Sequence, residues 1–153
     1  MDVPDIGPGA LIRLPISVDG AFFFIGDAHA AQGDGELCGA ACEMPARVRL
    51  RFELEPGQAI PLPEIETEQE VMVVGSARPL EDAVRRASSY LVELMVARYG
   101  FDSATAYQLL THAGRLRVGN IVNPRYSVAA RIAKAFLPPR RAGVARLGEV
   151  TSG

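Results

Sequence analysis

Four potential metal ligands fall within ten positions of one glycine-rich segment, residues 26–36. The segment reads Gly-Asp-Ala-His-Ala-Ala-Gln-Gly-Asp-Gly-Glu, and its ligand-type residues are Asp27, His29, Asp34 and Glu36. The members of each pair are two positions apart, so in an extended backbone both project to the same side. The intervening glycines allow the chain to fold back and bring the two pairs together. Three carboxylates and one imidazole suit a divalent cation such as Zn²⁺.

This segment has two interpretations. In the first it is a metal site, and a carboxylate that is not a ligand acts as a general base beside the cation. In the second it is a polar turn, in which Asp27 and Asp34 hydrogen-bond to their own backbone. The spacing differs from that of an EF-hand loop. Residue types and spacing alone leave both interpretations open.

Other candidate residues carry weaker signals. Cys38 and Cys42 lack the second cysteine pair or the histidines of a zinc knuckle, so we expect them to be small buried hydrophobes. His112 falls near a predicted helix C-terminus, where a structural role is favoured. The sequence contains no Gly-x-Ser-x-Gly, His-Glu-x-x-His, phosphate-loop or dinucleotide motif. The absence of these motifs disfavours α/β-hydrolases, zinc metalloproteases of the His-Glu-x-x-His type, phosphate-loop nucleotide hydrolases and dinucleotide-dependent oxidoreductases.

The elements that position these residues change character along the chain. In the first half, the spacing predicts strands at residues 11–17, 64–67 and 70–76. Residues 21–26 are an aromatic run typical of a buried strand, and residues 46–54 alternate apolar and charged side chains as in a half-solvated antiparallel strand. The segment that carries the ligand candidates is predicted to be a loop.

The second half begins with helical periodicity. It predicts helices over residues 79–99 and 102–113, followed by strands at 116–118 and 127–133. Residues 138–153 are predicted to be a loose tail. The switch from period two to period 3.6 predicts an α+β fold: an antiparallel β-rich first half, two consecutive helices and a terminal strand pair.

Composition narrows the class of protein. The 153 residues are 48% hydrophobic and 22% charged, enough for one domain with a buried core. No apolar run reaches membrane-spanning length, no signal peptide is evident, and two cysteines favour the cytoplasm. Residues 1–75 hold 13 acidic and four basic residues, whereas residues 76–153 hold five and twelve. The arginines are dispersed, so contacts between halves or subunits are favoured over nucleic-acid binding.

Several segments together resemble the acetamidase/formamidase family. The first is residues 26–36 with the Leu-Cys-Gly that follows, and the others are residues 78–83, 99–101, 113–118 and 121–124. The likeness spans most of residues 11–137 and corresponds to the C-terminal half of the family fold. It implies an acetamidase/formamidase-like domain over residues 1–137 that hydrolyses short-chain aliphatic amides to carboxylate and ammonia.

The resemblance also implies roles for the ligand candidates. Asp27 and His29, together with Asp34 or Glu36, are expected to hold a divalent cation, with Asp34 as the favoured third ligand and Zn²⁺ as the preferred ion. Asp34 and Glu36 are the expected catalytic carboxylates, and Glu36 is favoured as the base that takes a proton from water and passes it to the leaving amine.

Two alternatives to an active amidase follow from the same resemblance. The chain is either a non-catalytic metal-binding or assembly subunit, or an amidase fragment lacking its N-terminal half. In each case we expect partners in addition to a small amide substrate: a homo-oligomer, or a separately encoded N-terminal half. Consecutive aromatics at residues 22–24 support this expectation, because at least one must point toward a second layer.

Overall fold

The computed structural model describes residues 2–141, and five strands in this part of the chain form one antiparallel sheet. The strands are β1 (Leu11–Arg13), β2 (Glu64–Glu66), β3 (Glu70–Ala77), β4 (Arg115–Asn120) and β5 (Tyr126–Ala133). Their order across the sheet is β1-β2-β3-β5-β4. Two helices, α1 (Leu80–Leu94) and α2 (Ser103–Ala113), lie between β3 and β4 in the chain. The predicted α+β class, the antiparallel sheet, the two helices and the terminal strand pair are confirmed.

The central strands β3 and β5 are buried on both faces. Val71 and Val73 of β3 pack into the core beneath the helices, whereas Met72 and Val74 face the opposite side. There they contact Val3 from the N-terminal segment. A strand covered on both faces carries a nearly continuous apolar run, which explains the composition of β3.

Helix α1 follows from capping and periodicity. Pro79 is its N-cap, and acidic residues in the first turn complement the helix dipole. Its buried stripe recurs at helical spacing and consists of Ala83, Ala87, Leu91 and Leu94. The helix continues as a π-helical turn, Met95–Tyr99, and ends at Gly100, whose φ of 81° is left-handed. The predicted helix over residues 79–99 therefore corresponds to α1 and this turn.

Helix α2 begins where the sequence indicates. The Asp102 side chain accepts a hydrogen bond of 3.0 Å from the backbone N–H of Thr105, as an N-cap residue does. The helix ends before Gly114, and His112 lies in its last turn as predicted. Among the described residues, no helix is both long enough and apolar enough to cross a membrane.

A buried glutamate ties β2 to the first helical segment. Glu64 is 2% exposed and pairs with Arg98 of the π-helical turn. The Tyr90 hydroxyl of α1 donates a 2.6 Å hydrogen bond to Glu64. Desolvation raises the pKa of Tyr90, and its hydrogen bond to Glu64 raises that pKa further. The positive charge of Arg98 and the Tyr90 hydrogen bond compensate for the burial of this carboxylate, which would otherwise be costly.

Two predicted strands are wrong. Residues 21–26 and 46–54 form no strand, and the first predicted strand shortens to Leu11–Arg13. Phe22 is 87% exposed and Phe24 85% exposed, so the aromatic run is not a buried strand covered on both faces. Alternating apolar and polar side chains suit a pleated, half-buried surface. A segment forms a strand only if a neighbouring segment also pairs with its backbone N–H and C=O groups. No segment of residues 2–141 pairs with either run.

Of the predicted tail at residues 138–153, residues 142–153 lie outside the part of the chain that the structure describes.

Candidate functional site

The candidate site is built on the end of β4, where the strand carries an irregularity. The register between β4 and β5 shifts between Val118 and Asn120, which leaves Gly119 outside the regular ladder. A side chain at Gly119 would place its Cβ 2.1 Å from the backbone oxygen of Asp2 and 2.7 Å from the Ser127 hydroxyl. Only glycine fits at this position, and its carbonyl is free to accept a hydrogen bond from outside the sheet.

A loop from the ligand-rich segment docks on this outer edge. The Gly35 N–H donates to the Val118 carbonyl at 2.8 Å, and the Ile121 N–H donates to the Gly35 carbonyl at 3.0 Å. The Gln32 side-chain amide donates to the Gly119 carbonyl at 3.2 Å. The loop therefore satisfies backbone groups that an edge strand would leave exposed, and it fixes the position of the neighbouring ligand candidates.

Asp27, His29 and Glu43 form one cluster of ligand atoms. One donor atom from each of the three side chains lies within 4.8 Å of the other two. His29 Nε2 lies 2.9 Å from a Glu43 oxygen and 3.2 Å from an Asp27 oxygen. An antiparallel bridge pairs His29 with Glu43, and the Ala30 N–H donates to the Cys42 carbonyl at 2.8 Å. Backbone pairing thus brings Glu43 to the imidazole.

The electrostatics of His29 follow from these neighbours. The imidazole is largely shielded, with 9% of the side chain exposed, whereas both carboxylates face solvent. Desolvation lowers the pKa of His29, but the hydrogen bond with Gln32 and the negative charges of Glu43 and Asp27 outweigh it. The pKa of His29 is therefore raised above its ordinary value. The site favours a positive charge at or beside the imidazole.

The donor chemistry of the cluster fits a divalent cation. An imidazole nitrogen and carboxylate oxygens are ligands that zinc takes in proteins. Asp27 adopts a left-handed φ of 64°, which is uncommon for a residue other than glycine and frequent at functional sites. Three protein ligands also correspond to the ligand number of catalytic zinc sites, which keep a further position open for water or substrate.

Glu36 lies in a separate, buried environment. It is 9% exposed, and its carboxylate accepts a 2.8 Å hydrogen bond from the Asn120 amide. The Asn120 carbonyl oxygen in turn accepts from the N–H groups of Val122 and Asn123, which fixes the amide orientation. Glu36 also adopts a left-handed φ of 47°. A strained backbone and a fixed hydrogen-bond donor hold this carboxylate in one orientation.

Asp34 makes a different contact from the one expected of a metal ligand. Its carboxylate accepts a 2.7 Å hydrogen bond from Arg117 Nε on β4 and is otherwise exposed. Asp34 and Glu36 line a common open pocket of about 300 Å³, together with Gly33, Leu37, Cys38, Ala40 and Ala41. Two of the expected site residues therefore face one concave surface.

The structure brings together Asp27 and His29 but leaves Asp34 and Glu36 outside the three-residue cluster. It adds Glu43, which sequence reasoning missed. Glu43 lies 14 positions from His29, beyond the spacing of any local motif, and only the backbone bridge reveals it. The expectation that the glycines bring the two pairs together is not met, because the segment around Glu43 returns to His29 and supplies the third ligand atom in place of Asp34.

The structure corrects the expected burial of the two cysteines. Cys38 and Cys42 are both free and exposed, so the expectation of small buried hydrophobes is wrong. The Cys38 thiol donates to the Ala40 carbonyl at 3.1 Å and lines the pocket beside Glu36. Cys38 follows the docked loop and Cys42 lies on the segment that returns to His29, and both are left exposed by the rest of residues 2–141.

Comparison with known proteins shows the family of the chain. The model of the acetamidase/formamidase family matches residues 1–138. The chain belongs to the acetamidase/formamidase family. No curated protein matches it.

Solved acetamidases share the fold. The acetamidase from Yersinia enterocolitica is 44% identical with a TM-score of 0.81, and the match covers 90% of this chain and 42% of that one. The acetamidase from Bacillus halodurans is 34% identical with a TM-score of 0.81, covering 88% and 46%. A predicted acetamidase/formamidase from Thermoanaerobacter tengcongensis is 24% identical with a TM-score of 0.70, covering 83% and 42%. This acetamidase/formamidase chain spans less than half the length of these relatives.

Proposed function

We propose that this chain carries the metal-binding and proton-transfer residues of an amidase that hydrolyses short-chain aliphatic amides, such as formamide and acetamide, to carboxylate and ammonia. One observation supports the proposal above others: His29 Nε2 lies within hydrogen-bond distance of two carboxylates, in a chain of the acetamidase/formamidase family. Hydrolysis of an unactivated amide needs both activation of water and stabilisation of the oxyanion that develops on the carbonyl.

In this proposal Asp27, His29 and Glu43 hold the cation, with Zn²⁺ as the preferred ion. A divalent cation bound there would lower the pKa of a water molecule and polarise the amide carbonyl. Exposed carboxylates at Asp27 and Glu43 leave the cluster accessible to a small, uncharged amide from solvent. Zn²⁺ rather than a harder cation is favoured because one of the three donors is an imidazole.

Glu36 is the proposed general base. Glu36 lines the pocket and is largely withdrawn from solvent, and its carboxylate keeps one orientation through the Asn120 hydrogen bond. It would take a proton from the attacking water and deliver it to the nitrogen of the leaving amine. Asp34 lines the same pocket and is held by Arg117, so its proposed role is to orient the substrate.

Replacing Glu36 with glutamine tests this division of roles. Because the amide keeps the shape but cannot accept the proton, E36Q should reduce turnover by at least about 100-fold. Zinc content, measured by elemental analysis of the same sample, should remain that of the wild-type chain. The matched control is E68Q, which alters an exposed carboxylate in the turn between β2 and β3. Loss of zinc from E36Q would show that Glu36 is a ligand and that the assignment is wrong.

A second function is supported by the coverage of the solved relatives. The chain spans 42% of the Yersinia enterocolitica acetamidase, so it is alternatively a non-catalytic metal-binding or assembly subunit, or an amidase fragment without its N-terminal half. Ammonia release from formamide or acetamide separates the enzyme from both alternatives. A reading frame for the remaining half, directly upstream of this one, separates a subunit from a fragment.

We also propose that the chain assembles with another polypeptide. Exposed apolar side chains of the two unpaired runs form what we call the apolar ribbon: Phe22, Phe23, Phe24, Ile25, Val48, Leu50, Phe52 and Leu54. The Phe23 and Phe52 rings meet edge to face at 5.0 Å, which joins the two runs. An exposed apolar patch of this kind is typical of an interaction surface. A second copy, or a chain equivalent to the N-terminal half, would cover it in the cytoplasm.

A further inference from the structure

Gln32 has a side-chain amide whose orientation is determined by its partners. One end of the amide lies 3.2 Å from the Gly119 carbonyl oxygen, and the other lies 3.2 Å from His29 Nδ1. A carbonyl oxygen can only accept a hydrogen bond, so the NH₂ group must face Gly119. The Gln32 oxygen therefore faces His29.

This orientation determines which imidazole nitrogen carries a proton. The Gln32 oxygen can only accept, so His29 Nδ1 must be the donor. In the neutral imidazole Nε2 then bears the lone pair, and Nε2 is the nitrogen that faces Asp27 and Glu43. A lone pair directed at two carboxylates is repelled unless a cation or a proton lies between them.

We infer that Gln32 is a positioning residue that holds His29 in the Nδ1–H form, so that Nε2 is presented to a cation shared with Asp27 and Glu43. The inference rests on the cation site of the proposed function. Gly119 contributes to this positioning. The register shift at Gly119 leaves its carbonyl outside the ladder, and this carbonyl accepts the hydrogen bond that orients the Gln32 amide. Hydrogen-bonded partners of metal-ligating histidines fix the tautomer and ring orientation in this way.

The first test measures the affinity for Zn²⁺ alone, by competition with a chelator. Q32L removes the acceptor at similar size, and it should weaken Zn²⁺ binding about 10- to 100-fold, as the loss of such a partner does. Q32E restores an acceptor for Nδ1–H but cannot donate to Gly119, and it should bind Zn²⁺ at least about 10-fold more tightly than Q32L. The matched control Q69L, at an exposed glutamine of the β2–β3 turn, should bind like wild type.

The two glutamine variants separate positioning from a structural role. If Gln32 only fastens the loop to β4, Q32E should be as weak as Q32L, because both lose the bond to Gly119. That result, or wild-type affinity in Q32L, would overturn the inference.

The second test needs no metal. Nitrogen-15 NMR of the metal-free chain at about pH 9.5, far above the ordinary histidine pKa, reports which ring nitrogen of His29 is protonated. Wild type and Q32E should show Nδ1–H, and Q32L should show predominantly Nε2–H. An Nε2–H form in the wild-type chain would refute the inference even if Zn²⁺ binds. Conversely, a wild-type chain with the Nδ1–H form that binds no Zn²⁺ would refute the proposed cation site and retain the role of Gln32.

Discussion

At His29 one imidazole nitrogen lies within 3.2 Å of two carboxylates, while the other is occupied by an amide oxygen. Two negatively charged carboxylates therefore face the Nε2 lone pair, and a divalent cation bound between them would neutralise this charge. Two of the cluster's three donors could be predicted, because Asp27 and His29 lie two residues apart in the ligand-rich segment. Glu43 could not, since a bridge between distant segments depends on how the chain returns after the docked loop.

Glu43 is therefore the residue at which the geometry and the sequence pattern make different predictions. E43Q keeps the size of the side chain but removes its charge, so Zn²⁺ affinity should fall about 10- to 100-fold, equivalent to a loss of about 1.4–2.8 kcal/mol. D34N should leave affinity within about threefold of wild type, because Asp34 pairs with Arg117. Isothermal titration with Zn²⁺ measures both variants. The reverse order, with D34N the weaker binder, would restore Asp34 as the ligand and remove Glu43.

At the scale of elements, the approach of α1 to the sheet depends on Gly75 in β3. A Cβ at this position would lie 2.3 Å from the Ala83 carbonyl oxygen and 2.9 Å from the Ala87 nitrogen. Both obstructing atoms are helix backbone, which cannot rotate away as a side chain can. The helix and the strand are in close contact because the strand presents no side chain at the crossing and the helix presents only the small side chains of Ala83 and Ala87.

Replacing Gly75 with alanine should separate these elements. The helix must shift, so we expect the free energy of unfolding to fall by about 1–3 kcal/mol, the usual cost of overpacking a core. Urea denaturation followed by circular dichroism measures the change. G7A is the matched control, because a Cβ at Gly7 meets no atom within 4 Å, and it should change stability by less than about 0.5 kcal/mol. Equal stability of G75A and G7A would contradict the described packing.

The elements also show where sequence reasoning succeeds. Helix α2 could be predicted from its capping residue Asp102, and apolar periodicity predicts α1, β3 and β5. The helices satisfy their own backbone hydrogen bonds, and β3 and β5 lie in the interior of the sheet. Residues 46–54 carry a strand-like alternation yet form no strand. Periodicity reports which side chains prefer burial, but the partner that would bury Phe52 is not among residues 2–141.

For the whole molecule, the apolar ribbon is the feature that supports the proposed association. Phe52 remains 67% exposed even though its ring contacts Phe23, so the ribbon does not cover itself. Burial of such side chains contributes about 25 cal/mol per Å² of apolar surface removed from water. Basic residues of the second half pair with acidic residues of the first half inside the chain, as Arg117 does with Asp5 and Lys134 with Glu66, so any charge contact between copies would use the residues that remain.

Light scattering across a salt series tests this association. We expect a dimer or larger species, and dissociation as salt rises if the charge asymmetry contributes. F24S in the ribbon should shift the population toward monomer, because it removes apolar contact area. Y107S, at an exposed aromatic of α2 outside the ribbon, is the matched control. A species of 16.4 kDa at low and moderate salt would refute the proposed assembly.

The central claim, that this chain carries amidase chemistry at the His29 cluster, is tested most directly by ammonia release. The Zn²⁺-loaded chain should release ammonia from formamide and acetamide, and H29A should lose both the bound Zn²⁺ and the ammonia signal. Y107S should retain both, because Tyr107 lies on α2 outside the cluster. No ammonia from the Zn²⁺-loaded wild-type chain, or undiminished release from H29A, would contradict the account.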